Sequence, residues 1–148
     1  MVLNNIVFTD YYEDNDFILN TEDNGSAFEV YNNTFGVGCY NITLGRGCFS
    51  NAFGESCFEN SFGIDCTTNT FGNDCHNNIF GQYCCYNSLE NICYNNTFII
   101  DCFYNTFKTG CNDNTFGNDC SYNTFENDCN GNVFEDNCTN NTFGKCCY

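Results

Sequence analysis

Residues 114–129 read NTFGNDCSYNTFENDC, two passes through one phrase, Asn-Thr-Phe-Gly-x-x-Cys-x-x. Working outward from this stretch, the phrase repeats every nine residues from Asn33 to the last residue, without insertion or deletion. Its aromatic position is held by Phe35, Phe53, Phe62, Phe71, Phe80, Phe98, Phe107, Phe116, Phe125, Phe134 and Phe143, with Leu44 and Leu89 completing the series. Four residues after each stands a cysteine: Cys39, Cys48, Cys57, Cys66, Cys75, Cys84, Cys93, Cys102, Cys111, Cys120, Cys129, Cys138 and Cys147. Two residues before each stands an asparagine: Asn33, Asn51, Asn60, Asn69, Asn78, Asn87, Asn96, Asn105, Asn114, Asn123, Asn132 and Asn141, with Ile42 the one exception. A register this strict is the signature of a stacked repeat in which every copy occupies an equivalent place.

A period of nine matches neither the 3.6-residue helix nor the heptad. Phe, Thr, Tyr, Ile and Cys between Gly and Asn favour short strands and turns over helix. In a strand, residues two apart share a face, so Asn33 and Phe35 point one way and Thr34 and Gly36 the other. Burial sets the direction: the Phe and Leu column belongs inside, and the Thr column faces water. Cys forms a second inward column beyond a bend. Gly follows the aromatic in eight repeats, which suggests a turn with positive φ; Glu90, Ile99, Lys108, Glu126 and Glu135 show that Gly is favoured there, not required. Tyr86, Tyr104 and Tyr122 recur every 18 residues, which favours two repeats per coil. The expected fold is therefore an all-β solenoid (β-helix) of thirteen nine-residue repeats, six and a half coils about 30 Å long at the ~4.8 Å strand spacing. Residues 33–148 form it, and residues 1–32, outside the period, read as an acidic capping or docking segment.

Stacked asparagines can donate along the column to one neighbour and accept from the other, so they read as a ladder of amides. The thirteen column cysteines, together with Cys85 and Cys146, read first as free thiols of the core. Neighbours in one column project in parallel about 4.8 Å apart, whereas a disulfide needs opposed Cβ atoms about 3.8 Å apart. Cross-coil disulfides and a metal cluster are the alternatives. Cys85 and Cys146 lie off the column and are expected to be exposed and reactive.

Lys and Arg total 3 against 19 Asp and Glu, a net charge of −16. That balance argues against binding nucleic-acid phosphates or an anionic membrane. It favours solubility and discourages sideways clumping of a β-rich particle. No apolar run reaches the length of a membrane span and no secretion signal is visible. His76 is the single histidine and stands at a variable turn position, with no nucleophile, base and orienter pattern around it. No catalytic residue, cofactor or metal site is expected. The Phe-Gly-Asn-Asp stretches at 71–74 and 116–119 share a nine-residue period with calcium-binding RTX repeats. The paired glycines are missing, however, and acid fills the ligand position only at Asp65, Asp74, Asp101, Asp119 and Asp128.

Residues 33–148 resemble the Asn-Phe-Gly-Cys nonapeptide β-solenoids of tail-fibre and surface proteins from bacteriophages and gut bacteria. That resemblance implies a non-enzymatic structural module of a virion or cell-surface fibre, a rigid spacer, adhesive or self-assembling element at the virion or extracellular surface. Short length and the acidic first segment are its departures from that pattern. Two other readings come from the residues: an acidic rod that mimics DNA, and an ice-binding protein using the outward Thr column. Tyr148 stands at the eighth position of the last repeat, with no dissimilar cap, so self-association through an open C-terminal end, or a fibre partner there, is expected.

Overall fold

A computed structural model describes residues 30–148 and three two-residue strands before them, Leu3–Asn4, Val7–Phe8 and Asp16–Phe17. The capping expectation for residues 1–32 otherwise lies outside the described residues. All described secondary structure is strand, two residues long in each repeat, and every pairing is parallel. Partners lie 18 residues apart, Phe80 beside Phe98 and Leu89 beside Phe107, so two repeats close one coil. The fold is the expected β-solenoid.

Alternate repeats build opposite sheets. The eight-stranded sheet runs through Val7–Phe8, Thr34–Phe35, Ala52–Phe53, Thr70–Phe71, Ser88–Leu89, Thr106–Phe107, Thr124–Phe125 and Thr142–Phe143. The seven-stranded sheet runs through Asp16–Phe17, Thr43–Leu44, Ser61–Phe62, Ile79–Phe80, Thr97–Phe98, Thr115–Phe116 and Val133–Phe134. The early strands pair 27 residues ahead instead of 18: Leu3 with Val30, Phe8 with Phe35, Phe17 with Leu44. Although they precede the periodic part of the sequence, Val7–Phe8 and Asp16–Phe17 extend the same two sheets.

Phe35 through Phe125 and Cys39 through Cys129 form one continuous buried core. Within a column the rings lie parallel, 4.3 Å apart for Phe80 and Phe98 and 5.1 Å for Phe98 and Phe116. Across the core they meet edge to face, as Phe71 and Phe80 do at 5.1 Å and 82°. Strand spacing imposes the parallel stack, and the edge-to-face contacts supply the arrangement that ring quadrupoles prefer.

Each repeat holds two residues in the left-handed region, one before the Cys and one before the Asn; Asp119 (φ 61) and Tyr122 (φ 59) are one such pair. These residues turn the hydrogen bonding around. Ser56 and Glu59 send their N–H groups forward to the carbonyls of Asn73 and His76, while Ala52, Gly54 and Phe58 send theirs back to Asn33, Phe35 and Cys39. Each inner coil is thereby bonded in both directions.

The glycine after each aromatic is not one of these turn residues, which corrects the turn reading. A Cβ on Gly54 would stand 2.7 Å from the carbonyl oxygen of Gly36 one coil below, so the position favours Gly because backbones approach closely.

Candidate functional site

The asparagines form two ladders, one behind each sheet, each bonded in steps of 18 residues. Asn96 Nδ2 donates to Asn114 Oδ1 (3.0 Å) and to the carbonyl of Cys75 (3.1 Å), while its own Oδ1 accepts from Asn78. The same pattern opens one ladder at Asn33 and Asn51 and closes the other at Asn114 and Asn132. Among the described residues no buried side-chain nitrogen or oxygen lacks a partner. Before the last coil these amides are fully used inside the protein and have no hydrogen-bonding capacity left for a ligand.

No disulfide forms among the described cysteines. The column thiols point to backbone carbonyls 21 residues earlier: Cys102 Sγ donates to Gly81 (3.2 Å) and Cys111 Sγ to Glu90 (3.1 Å). Donation requires the protonated thiol. Burial pushes the thiols of Cys129 and Cys138 above the ordinary value. Of the two off-column cysteines, Cys146 is exposed as expected. Cys85 is half-buried; its sulfur accepts the Phe103 N–H at 3.3 Å, and burial raises its pKa. Among the described residues, no three His, Cys, Asp or Glu side chains are grouped to hold a metal ion.

His76 is part of an edge stack, between Phe58 (5.3 Å) and Tyr94 (4.7 Å), with Nδ1 2.9 Å from the Asp74 carbonyl oxygen. A second edge stack holds Tyr86, Tyr104 and Tyr122 at 5.1 and 5.2 Å. Stacking turns the ring faces toward one another and leaves mainly edges outward, so neither column offers the open ring faces on which a sugar would stack.

What remains for recognition is the outward surface, and its two faces differ. On the eight-stranded sheet from Thr34 onward the outward strand residues are Thr34, Ala52, Thr70, Ser88, Thr106, Thr124 and Thr142, a hydroxyl at each but Ala52. On the seven-stranded sheet the series Thr43, Ser61, Ile79, Thr97, Thr115 and Val133 is broken twice by apolar residues. Ile64, Ile79, Tyr83 and Ile99 are exposed across three successive coils on that side. Pairing in steps of 18 sorts these residues onto one face, a signal present in the sequence only once the coil length is known. Two ion pairs lie on the surface, Arg46 with Asp65 at 3.0 Å and Lys108 with Glu126 at 2.8 Å. Both are solvated, so each adds little stability. At the last coil Phe143 is 46% exposed and lines, with Cys129, Phe134, Cys147 and Tyr148, an open cavity of about 260 Å³.

Comparison with protein-family models, curated proteins and solved structures found no match.

Proposed function

We propose that the chain is a non-enzymatic structural repeat module, a rigid spacer or adhesive segment of a virion or cell-surface fibre. The observation that carries this reading is the complete internal use of the repeated residues. Asn, Phe and Cys satisfy one another coil after coil, so chemistry toward a partner falls to the variable outward columns. Such a stack resists bending because neighbouring coils share backbone bonds, side-chain ladders and stacked rings. A further coil or a fibre partner on the cavity beside Phe143 would extend it. Incubation of the purified chain with a panel of bacterial and host polysaccharides tests the reading. Binding without release of new reducing ends is expected, and hydrolysis would overturn it.

One observation favours a second reading, ice binding. The two sheets separate the interruptions of the Thr column, leaving the eight-stranded face from Thr34 onward with hydroxyls at six of seven outward strand positions. Thermal hysteresis lost on replacing Thr106 and Thr124 would select that reading.

A further inference from the structure

The chain passes from the seven-stranded to the eight-stranded sheet along one edge of the solenoid and returns along the other. Both edges need residues in the left-handed region, and over matching coils they meet that need differently. Between residues 74 and 131 the return edge uses only Asp, Asn and Gly there, apart from Ile92. Those are the residue types that tolerate the conformation. Between residues 83 and 122 the first edge uses Tyr83, Tyr86, Tyr104 and Tyr122, together with Asp101 and Asp119. The four tyrosines have φ of 58° or 59° and are 44–59% exposed. A bulky residue in the left-handed region is strained, and a ring left in water regains little by burial; strain of this kind gathers where a ligand is held. Stacking of Tyr86, Tyr104 and Tyr122 fixes their rings, but Tyr83 stands in another column, between Asp65 and Asp101 one coil away on either side.

Carboxylates border these rings. Asp101 Oδ2 accepts from Gln82 Nε2 at 3.1 Å, which holds the carboxylate one coil from Tyr83 and leaves its other oxygen for a partner. Asp101 and Asp119 also stand three residues before Tyr104 and Tyr122 in their own coils. The stretches 82–86, 100–104 and 118–122 hold these two acids and no basic residue. In the same column Asp65 already carries a guanidinium, that of Arg46, at 3.0 Å. Rings set among carboxylates suit this group in particular: a guanidinium forks to the carboxylate and lies flat on a ring, which a compact ammonium does less well.

We infer that this edge binds an arginine-rich segment of a partner protein, laid along the coils. Its guanidinium groups pair with Asp101 and Asp119 and lie against Tyr83 and the outer rings of the stack, Tyr86 and Tyr122, whose next column neighbours, Thr68 and Asn140, carry no ring. Rings already held in place lose little freedom on binding. The inference rests on the structural-module reading and deepens it by naming the partner chemistry of its outward columns.

Fluorescence anisotropy with labelled octa-arginine and octalysine peptides, on the full chain under reducing conditions at about 0.15 M salt, tests it. Octa-arginine should bind at least about tenfold tighter than octalysine. Replacing Tyr83, Tyr86, Tyr104 and Tyr122 together by Asn installs the residue that the return edge uses at Asn77 and Asn95. That variant should keep or raise the thermal midpoint and lose the arginine preference. Asp101→Asn with Asp119→Asn should weaken octa-arginine binding by at least about tenfold, whereas Asp74→Asn with Asp128→Asn, the same charge change on the return edge, should alter it less than about twofold. Equal binding of the two peptides, a preference that survives the four Asn changes, or equal effects of the two Asp pairs would overturn the inference in favour of general charge attraction. Polysaccharide binding lost on the four Asn changes, without an arginine preference in the wild type, would overturn it in favour of a glycan. Failure of the peptide tests leaves the structural-module reading standing, since that reading falls to polysaccharide hydrolysis instead.

Discussion

Asn96 Oδ1 accepts two hydrogen bonds from Asn78, one from its backbone N–H at 3.1 Å and one from its Nδ2 at 3.0 Å, one coil away. A single amide thus ties the main chain and the side chain of the coil below, and its own Nδ2 bonds Asn114 and the Cys75 carbonyl. Replacing it by Ala orphans groups on both sides, each costing about 1–3 kcal/mol when buried. Asn96→Ala should therefore lose at least about 3 kcal/mol in denaturant unfolding. Asn96→Asp should be worst at neutral pH. A buried carboxyl has a raised pKa, so its penalty grows as pH rises through the folded value and eases in acid.

Phe98 is fully buried and stacks on Phe80 and Phe116. Truncation to Ala opens a cavity between three coils and should cost about 3–5 kcal/mol. Leu should be tolerated far better, since Leu44 and Leu89 fill equivalent places without exposure. The midpoints of paired urea titrations would show the difference.

Ile92 has φ 61 and is 60% exposed, a β-branched residue in the left-handed region with little packing to lose. Ile92→Gly should raise stability by about 1 kcal/mol, seen as a higher thermal midpoint. The opposite is expected at Gly54, where Gly54→Ala meets the Gly36 carbonyl and should destabilise.

Thiol reactivity should separate inside from outside. In the folded protein Cys146 should react quickly with a thiol reagent, and the buried column cysteines from Cys39 to Cys129 only after unfolding. Cys85, Cys129 and Cys138 have folded pKa values raised above the ordinary thiol value of 9.0. The stability they contribute is complete below that pH and is lost as pH rises through their folded values. Thermal midpoints should accordingly fall in alkali before any acid-side loss of equal size.

Deleting residues 70–87, one whole coil, should leave a folded chain shortened by about 4.8 Å, because Ala52 would then meet Ser88 in the register Thr70 held. Deleting only nine residues should also leave a folded chain, since each repeat then stacks on an equivalent one, but it exchanges the two outward faces of everything beyond the cut. Circular dichroism and scattering on the two variants would distinguish them.

By itself the sequence determined the repeat, the two core columns and the asparagine ladder. Phe98, Cys102 and Asn96 recur in fixed register, and in a stacked coil one register means one chemical environment. It also pointed to the 18-residue coil through Tyr86, Tyr104 and Tyr122. The tertiary structure decided what a nine-residue period hides. Alternate repeats go to opposite sheets, so Ile79 and Ile99 gather on one face and the hydroxyls of Thr70, Ser88 and Thr106 on the other. It also relocated the left-handed turns from Gly54 and its equivalents to residues such as Ser56 and Glu59. The physical reason lies in the coil below: whether a glycine serves φ or clearance depends on a carbonyl 18 residues away. Only the stack brings that carbonyl near.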